Sequence, residues 1–198
     1  MAMFCALFIS ASWLQVVAAE DIADDDRNVR KLYESFSAER GEIVAGGIPI
    51  ATSVPVDNQF KYLRSYPYGE LYAPVVGYYT LNQGNAGIES ALNPLLTGRA
   101  SSQFVAQITS LFTGTSPQGA SVMLSLDPVL QQAAWDALGD QRGSVVAVDP
   151  ATGRVLAMVS KPSFDPNKLA SHSSSSVFDA YLQLAEDPGN PLANRAIA

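Results

Sequence analysis

Site chemistry needs a nucleophile, a base or a metal ligand, and this sequence offers few of them in usable spacing. No Ser-x-x-Lys, Lys-Thr-Gly, Lys-Ser-Gly or Gly-x-Ser-x-Gly occurs, so the common activated-serine arrangements are absent from it. Phosphate-cradling glycine loops of the P-loop or dinucleotide type are missing too. Cys5 is the only cysteine, which leaves neither a disulfide framework nor a thiolate metal site. His172, the only histidine, sits in the run SHSSSS and reads as an ordinary loop residue. Carboxylates remain. Glu70, Glu89, Asp127 and Asp149 could in principle supply a general acid and base pair of the glycosidase kind. Two of these have simpler readings, Asp127 as a helix cap and Asp149 as a turn residue. No cofactor or metal is expected from these motifs.

The elements that would carry such residues follow an α+β order. DDDRNVRKLYESFSAERG (Asp24 to Gly41) puts Val29, Leu32, Tyr33 and Phe36 on one helical face, with Gly41 as its stop. GEIVAGGIPIATSV and QFKYLRSY read as strands, with Gly46-Gly47 and Asp57-Asn58 as turns. The aromatic stretch YPYGELYAPVVGYYTLNQGN suggests an irregular loop with strand fragments. GIESALNPLLTG and SSQFVAQITSLFTG are helical candidates. ASVMLSL is a strand, and Asp127-Pro128 then opens the helix VLQQAAWDAL, which ends at Gly139. A hairpin follows in GSVVAVDPATGRVLAMVSKPSFDPN. Pro150 presets φ in its turn, Asp149 accepts local N–H groups and Gly153 supplies a positive φ. SSSSVFDAYLQLAE predicts one more helix.

Charge and the N-terminus bound location and partners. The net charge of −7, with no Lys/Arg cluster, argues against nucleic-acid binding. Only Ser10, Ser12 and Gln15 are polar between Met1 and Ala19, a run that would span about 28 Å as a helix. That approaches the bilayer hydrocarbon core, so an uncleaved single-pass anchor is the favoured reading of residues 1–19. A signal segment cleaved after Val17-Ala18-Ala19 is the alternative. No basic residue precedes the apolar run. Either reading places the bulk of the chain outside the cytoplasmic membrane, with an anchored N-terminus inside.

Taken in order, several stretches resemble the N-terminal, non-catalytic part of class B penicillin-binding proteins, most closely the actinobacterial penicillin-binding protein A group. They are RGEIVAGG with Arg40 and Gly41, YLRSYPYGELYAPVVGYYT with Arg64, Tyr66 and Pro67, and GIESALNPLLTG with Glu89 and Gly98. SLDPVLQQAAWDAL with Asp127, the hairpin with Asp149, Gly153 and Asn167, and NPLANRAI with Arg195 complete the set. Where most class B relatives have an Asp-Arg-Asn-Gly-like segment, this chain has Ala45-Gly46-Gly47-Ile48, which favours the penicillin-binding protein A-like subgroup.

The resemblance implies a membrane anchor over 1–19, a dimerisation or pedestal domain over 20–119, and the first strand–helix–hairpin elements of a transpeptidase domain over 120–198. In the family, the NRAI-like segment leads to a Tyr-Pro-Pro-Gly-Ser-x-x-Lys run with the nucleophile, and this sequence stops before it. The chain is therefore expected to be no enzyme by itself: it neither transpeptidates nor binds penicillin covalently. It would hold up a D,D-transpeptidase domain in cell-wall synthesis and division. Implied partners are the cytoplasmic membrane and a cell-wall polymerase or divisome protein, with peptidoglycan stem peptides and β-lactams met by full-length relatives. The resemblance also implies that Arg40, Arg64 and Glu89 form a polar network; the simpler reading is surface ion pairs worth little. Tyr66–Tyr79 is either a contact surface or core. An exported carboxylate enzyme and a generic anchored binding module stand as alternatives.

Overall fold

A computed structural model describes residues 36–98, 100 and 118–198, together with Met3, Phe4, Leu7, Phe8, Ser10 and Trp13. The expected anchor over 1–19 and the helix expected over Ser101–Gly114 lie outside the continuously described residues, as does most of the helix expected from Asp24. Among the described residues no helix is long and apolar enough to cross a membrane. The chain divides into the units Met1–Ser35 and Phe36–Ala198, and the sheets with their core lie in the second.

Gly46-Gly47 turns the chain between β1 (Ile43–Ala45) and β2 (Ile48–Pro55), which pair antiparallel with Ala45 opposite Ile48. β3 (Tyr62–Ser65) pairs antiparallel with β2, placing Arg64 opposite Ser53. After a crossover whose described residues carry short helical turns, β4 (Val122–Leu124) returns parallel to β1 and completes a sheet of order β3-β2-β1-β4. Phe36 and Ser37 are helical, but the chain has left the helix before Arg40. The expected stop at Gly41 therefore comes too late, because Arg40 and Gly41 are drawn into hydrogen bonds with β2, β3 and the crossover.

The aromatic stretch is neither an irregular loop with strand fragments nor an open contact surface. It forms a 3-10 turn at Gly69–Leu71 and the helical turn α1 (Ala73–Val76), with one isolated bridge, Tyr79 to Asn85. Pro74, early in α1, lacks the N–H that a first turn leaves unpaired anyway. Tyr66, Tyr72, Tyr78 and Tyr79 are buried, and only Tyr68 among these tyrosines is exposed. Their large rings are worth more to the core than to water. Two short helices follow, α2 (Gly87–Ala91) and α3 (Asn93–Leu96), separated at Leu92 with Pro94 opening the second.

From Asp127 the elements are those that the spacing predicts. α4 (Pro128–Leu138) packs on the two-stranded sheet of β5 (Gly143–Val148) and β6 (Val155–Lys161). Ala134, Trp135 and Leu138 meet Val145, Ala147, Ala157 and Val159, leaving Val146 and Val148 on the exposed face. A 3-10 turn at Pro166–Lys168 leads to α5 (Ser174–Glu186). The main core joins early and late parts of the chain: Ile43, Ile50, Tyr66, Tyr72, Leu96 and Val122 pack together with Ala170. Each fully buried aliphatic chain there stabilises the fold by roughly 1.5–3 kcal/mol before entropy is counted.

Candidate functional site

Where early strands, crossover and late turn meet, a carboxylate sits in the core. Glu89, on α2, is fully buried. Its Oε2 accepts from Arg40 Nε at 2.6 Å and its Oε1 from Arg64 Nε at 2.7 Å. Two buried arginines around one carboxylate leave an excess positive charge, and oxygen dipoles surround it. Arg40 Nη2 donates to the Glu89 carbonyl at 2.7 Å and Nη1 to Asn93 Oδ1 at 2.7 Å. Arg64 Nη1 donates to the Gly41 carbonyl at 2.9 Å, while the Arg40 carbonyl accepts from Ser53 Oγ at 2.9 Å. The Arg40 guanidinium also lies 4.2 Å from the centroid of the Tyr79 ring, whose face favours a cation. Arg64 Nη2 is buried and has no hydrogen-bond partner among the described residues.

Tyr66 extends the cluster. Its hydroxyl donates to Glu89 Oε1 at 3.3 Å. Burial, and then the Glu89 charge, push its phenol well above the ordinary range against the pull of Arg64 and Arg40, so it stays a neutral donor. Its backbone is held from far along the chain: the Asn167 amide donates to Tyr66 O at 2.9 Å and accepts from Tyr66 N at 2.9 Å. Asn167 is itself set by Asp165, whose Oδ1 accepts from Asn167 Nδ2 at 2.8 Å.

Gly41 makes the cluster's floor possible. Gly41 N donates to Leu96 O at 2.9 Å and Gly119 N to Glu39 O at 3.0 Å, lacing three segments together. A Cβ on Gly41 would fall 2.0 Å from the Ala120 carbonyl oxygen, so only glycine permits this approach.

The sequence-derived residues thus separate into two groups. Arg40, Gly41, Arg64, Tyr66, Glu89 and Asn167 come together, with Pro67 exposed beside them and Gly98 closing α3. Asp127, Asp149, Gly153 and Arg195 stand apart in local roles. Asp127 Oδ1 caps α4 by accepting from Val129 N at 2.8 Å and Leu130 N at 3.1 Å. Asp149 accepts from Thr152 Oγ1 at 2.5 Å and Ala151 N at 3.0 Å, bonds that hold its carboxyl below the usual range, Thr152 contributing most. Gly153 closes that turn with φ +71°. The Arg195 guanidinium gathers the carbonyls of Gly189, Asn190 and Ala193. Among the described residues no carboxylate pair of the glycosidase kind emerges: Glu89 is consumed by arginines, Asp127 and Asp149 by backbone and turn, and Glu70 is exposed on the 3-10 turn.

Gln131 escapes the sequence reading. It is fully buried, and its amide donates to Leu71 O at 2.9 Å and Met158 O at 2.9 Å while accepting from Met158 N at 2.8 Å. That ties the crossover, α4 and β6. The signal was there: Gln131 shares the i, i+3, i+4, i+7 face with Ala134, Trp135 and Leu138, a polar residue where an apolar one belongs.

Similarity to known proteins bears on the same residues. A family model described as the penicillin-binding protein A dimerisation domain matches residues 40–122, which contain the whole cluster except Asn167. A model of the penicillin-binding protein transpeptidase domain matches residues 143–198. The chain is 44% identical over its full length to peptidoglycan D,D-transpeptidase PbpA of Mycolicibacterium smegmatis, and spans 41% of that protein. PbpA of Mycobacterium tuberculosis is 42% identical, again with 100% of this chain and 41% of the relative covered. Penicillin-binding protein A from M. tuberculosis, solved as a ceftriaxone acyl-enzyme complex, superposes with a TM-score of 0.79 at 42% identity. That match covers 83% of this chain and 38% of the solved one.

Proposed function

The chain belongs to the class B penicillin-binding proteins, and on that premise we propose that it serves as the positioning part of a peptidoglycan D,D-transpeptidase. The observation that carries this reading is the buried Arg40–Glu89–Arg64 cluster, which spends its charged groups on joining segments instead of exposing them to a substrate. In this reading residues 20–119 form the pedestal and 120–198 the first elements of the transpeptidase domain. Asn167 and Gln131 are the ties between them, reaching Tyr66 and Leu71.

Acyl transfer needs an activated nucleophile, and these 198 residues contain no Ser-x-x-Lys. We therefore assign them no catalytic step. The reaction, transfer at peptidoglycan stem peptides with β-lactams as competing acylators, would belong to a protein of the relatives' full length. Residues 1–19 would anchor it in the cytoplasmic membrane with the bulk outside, and the pedestal would dock a cell-wall polymerase or division protein. The test is direct. Purified chain incubated with a fluorescent penicillin should show no covalent band in a denaturing gel. A labelled band that excess unlabelled penicillin removes would overturn the assignment.

A further inference from the structure

His172 takes no part in the Glu89 cluster, yet it is held with care. It lies two residues before α5 and closes on the turn at 56–61. Its ring tilts against Phe60 with centroids 4.4 Å apart and meets Phe36 edge-on at 6.1 Å. Nδ1 lies 3.1 Å from Asn58 Nδ2. A second bond fixes the direction of the first: Asn58 Oδ1 accepts the Phe60 backbone N–H at 2.9 Å, so the amide nitrogen faces the ring. An amide nitrogen only donates. Nδ1 must then accept, which puts the imidazole proton on Nε2, a buried atom that makes no well-formed hydrogen bond among the described residues, the Tyr62 backbone offering only a weak one.

We propose that this contact is a pH-sensitive latch: neutral His172 closes the segment leading into α5 onto the turn at 56–61, and protonation releases it. An imidazolium donates from both nitrogens. Its new Nδ1–H would face the Asn58 amide hydrogens, donor against donor. Asn58 can turn over only by giving up the Phe60 N–H. The weak bond from Asn82 Nδ2 to Ser174 O, at 3.5 Å, is then the next polar contact holding the start of α5.

The titratable groups on the elements that close on the ring are Asp57, Lys61 and Tyr62 on the turn and β3, Glu39 after Phe36, and Tyr79 stacked on Phe36. Lys168 and Asp179 flank the segment. Among the described residues none of these side chains acts on the ring by its charge. Burial lowers its proton affinity and the Tyr62 backbone partly opposes that. A histidine whose folded pKa is lowered contributes stability that is present above its unfolded value, about 6.5. That contribution is lost as the pH falls through this value toward the folded one.

One histidine makes the experiment clean, because the full chain gives one set of imidazole signals in a carbon–proton NMR titration. The expected result is a neutral ring protonated on Nε2 that titrates below the ordinary range. Amide exchange at Phe60 and Leu169–Val177, corrected for its intrinsic pH dependence, should rise by about threefold or more between about pH 7.5 and about pH 5, as the contribution of the neutral ring is lost. Asn58→Asp supplies an acceptor for Nδ1–H, so it should raise the titration above the ordinary range and remove the acid-induced rise. A proton on Nδ1, exchange that ignores pH, or an Asn58→Asp protein that titrates like the parent would each overturn the latch.

Discussion

Two arginine–carboxylate pairings in this chain share their chemistry and little else. At Glu89 the side chains are at most 3% exposed and the contacts are 2.6 and 2.7 Å. At Asp149 the partner Arg154 is 62% exposed and the closest contact is 3.6 Å. Water screens the second pair and leaves it little to contribute. The first pair was stripped of water on folding, so each group depends on the others, and any one left alone is an uncompensated buried charge. Their reach differs as well. Asp149 bonds only within its own turn, whereas Glu89 collects the Arg40 segment, β3 and, through Tyr66, the turn that carries Asn167. Burial, more than charge, decides which pairing the fold rests on.

The largest effect should come from cutting the buried site at its centre. Glu89→Leu strands two guanidinium groups and is expected to cost about 3–5 kcal/mol, read as a lower urea midpoint. A double-mutant cycle of Glu89→Leu with Arg64→Leu should show coupling above about 1 kcal/mol; simple additivity would erase the contrast between the two pairings. Gly41→Ala comes next. With its Cβ driven against the Ala120 carbonyl, it should cost roughly 3 kcal/mol, the upper end of the overpacking range. Should Gly41→Ala melt like the parent, the cluster's floor is softer than its geometry implies. Gln131→Leu is expected to cost about 2 kcal/mol by leaving the Met158 N–H and two carbonyls unpaired, with the loss of amide protection centred on Met158.

Legibility in the sequence follows the same division. Local features can be read because their partners are near: the Asp127 cap is satisfied two and three residues on, and the turn from Asp149 to Gly153 closes on itself. Arg40 and Glu89 are 49 residues apart, and Tyr66 and Asn167 are 101 apart. Composition and spacing cannot say that such residues meet; only their order within a family resemblance brings them under one heading. The aromatic stretch from Tyr66 to Tyr79 shows the converse failure. Its composition suits a contact surface or a core equally well, and only packing against Leu96, Val122 and Phe164 settles it as core. Gln131 was hidden for a third reason. Its place on the apolar face of α4 marks it as an exception, but the three backbone groups it serves lie on other segments and cannot be read from that pattern.

The smallest expected effect is also the sharpest control. Arg154→Ala should leave the urea midpoint at neutral pH unchanged within error, in low and high salt alike, since its guanidinium is open to solvent and 3.6 Å from the carboxylate. Whatever Asp149 contributes has a fixed sign. Its folded pKa is lowered, first by the Thr152 hydroxyl and then by the Ala151 N–H, with Arg154 a lesser cause. Its contribution is therefore complete above the ordinary aspartate value, about 3.9, and disappears as the pH falls through the lower folded value. Any difference between parent and Asp149→Asn should consequently fade below that window and never grow there. Thr152→Val should weaken the carboxyl's pKa depression more than Arg154→Ala does, a ranking that an NMR titration of the Asp149 side chain reads directly. If Arg154→Ala instead moved that pKa most, or lowered the midpoint as far as Glu89→Leu, ion pairing would matter at the surface as much as in the core. The distinction between the two sites would then rest on something other than burial.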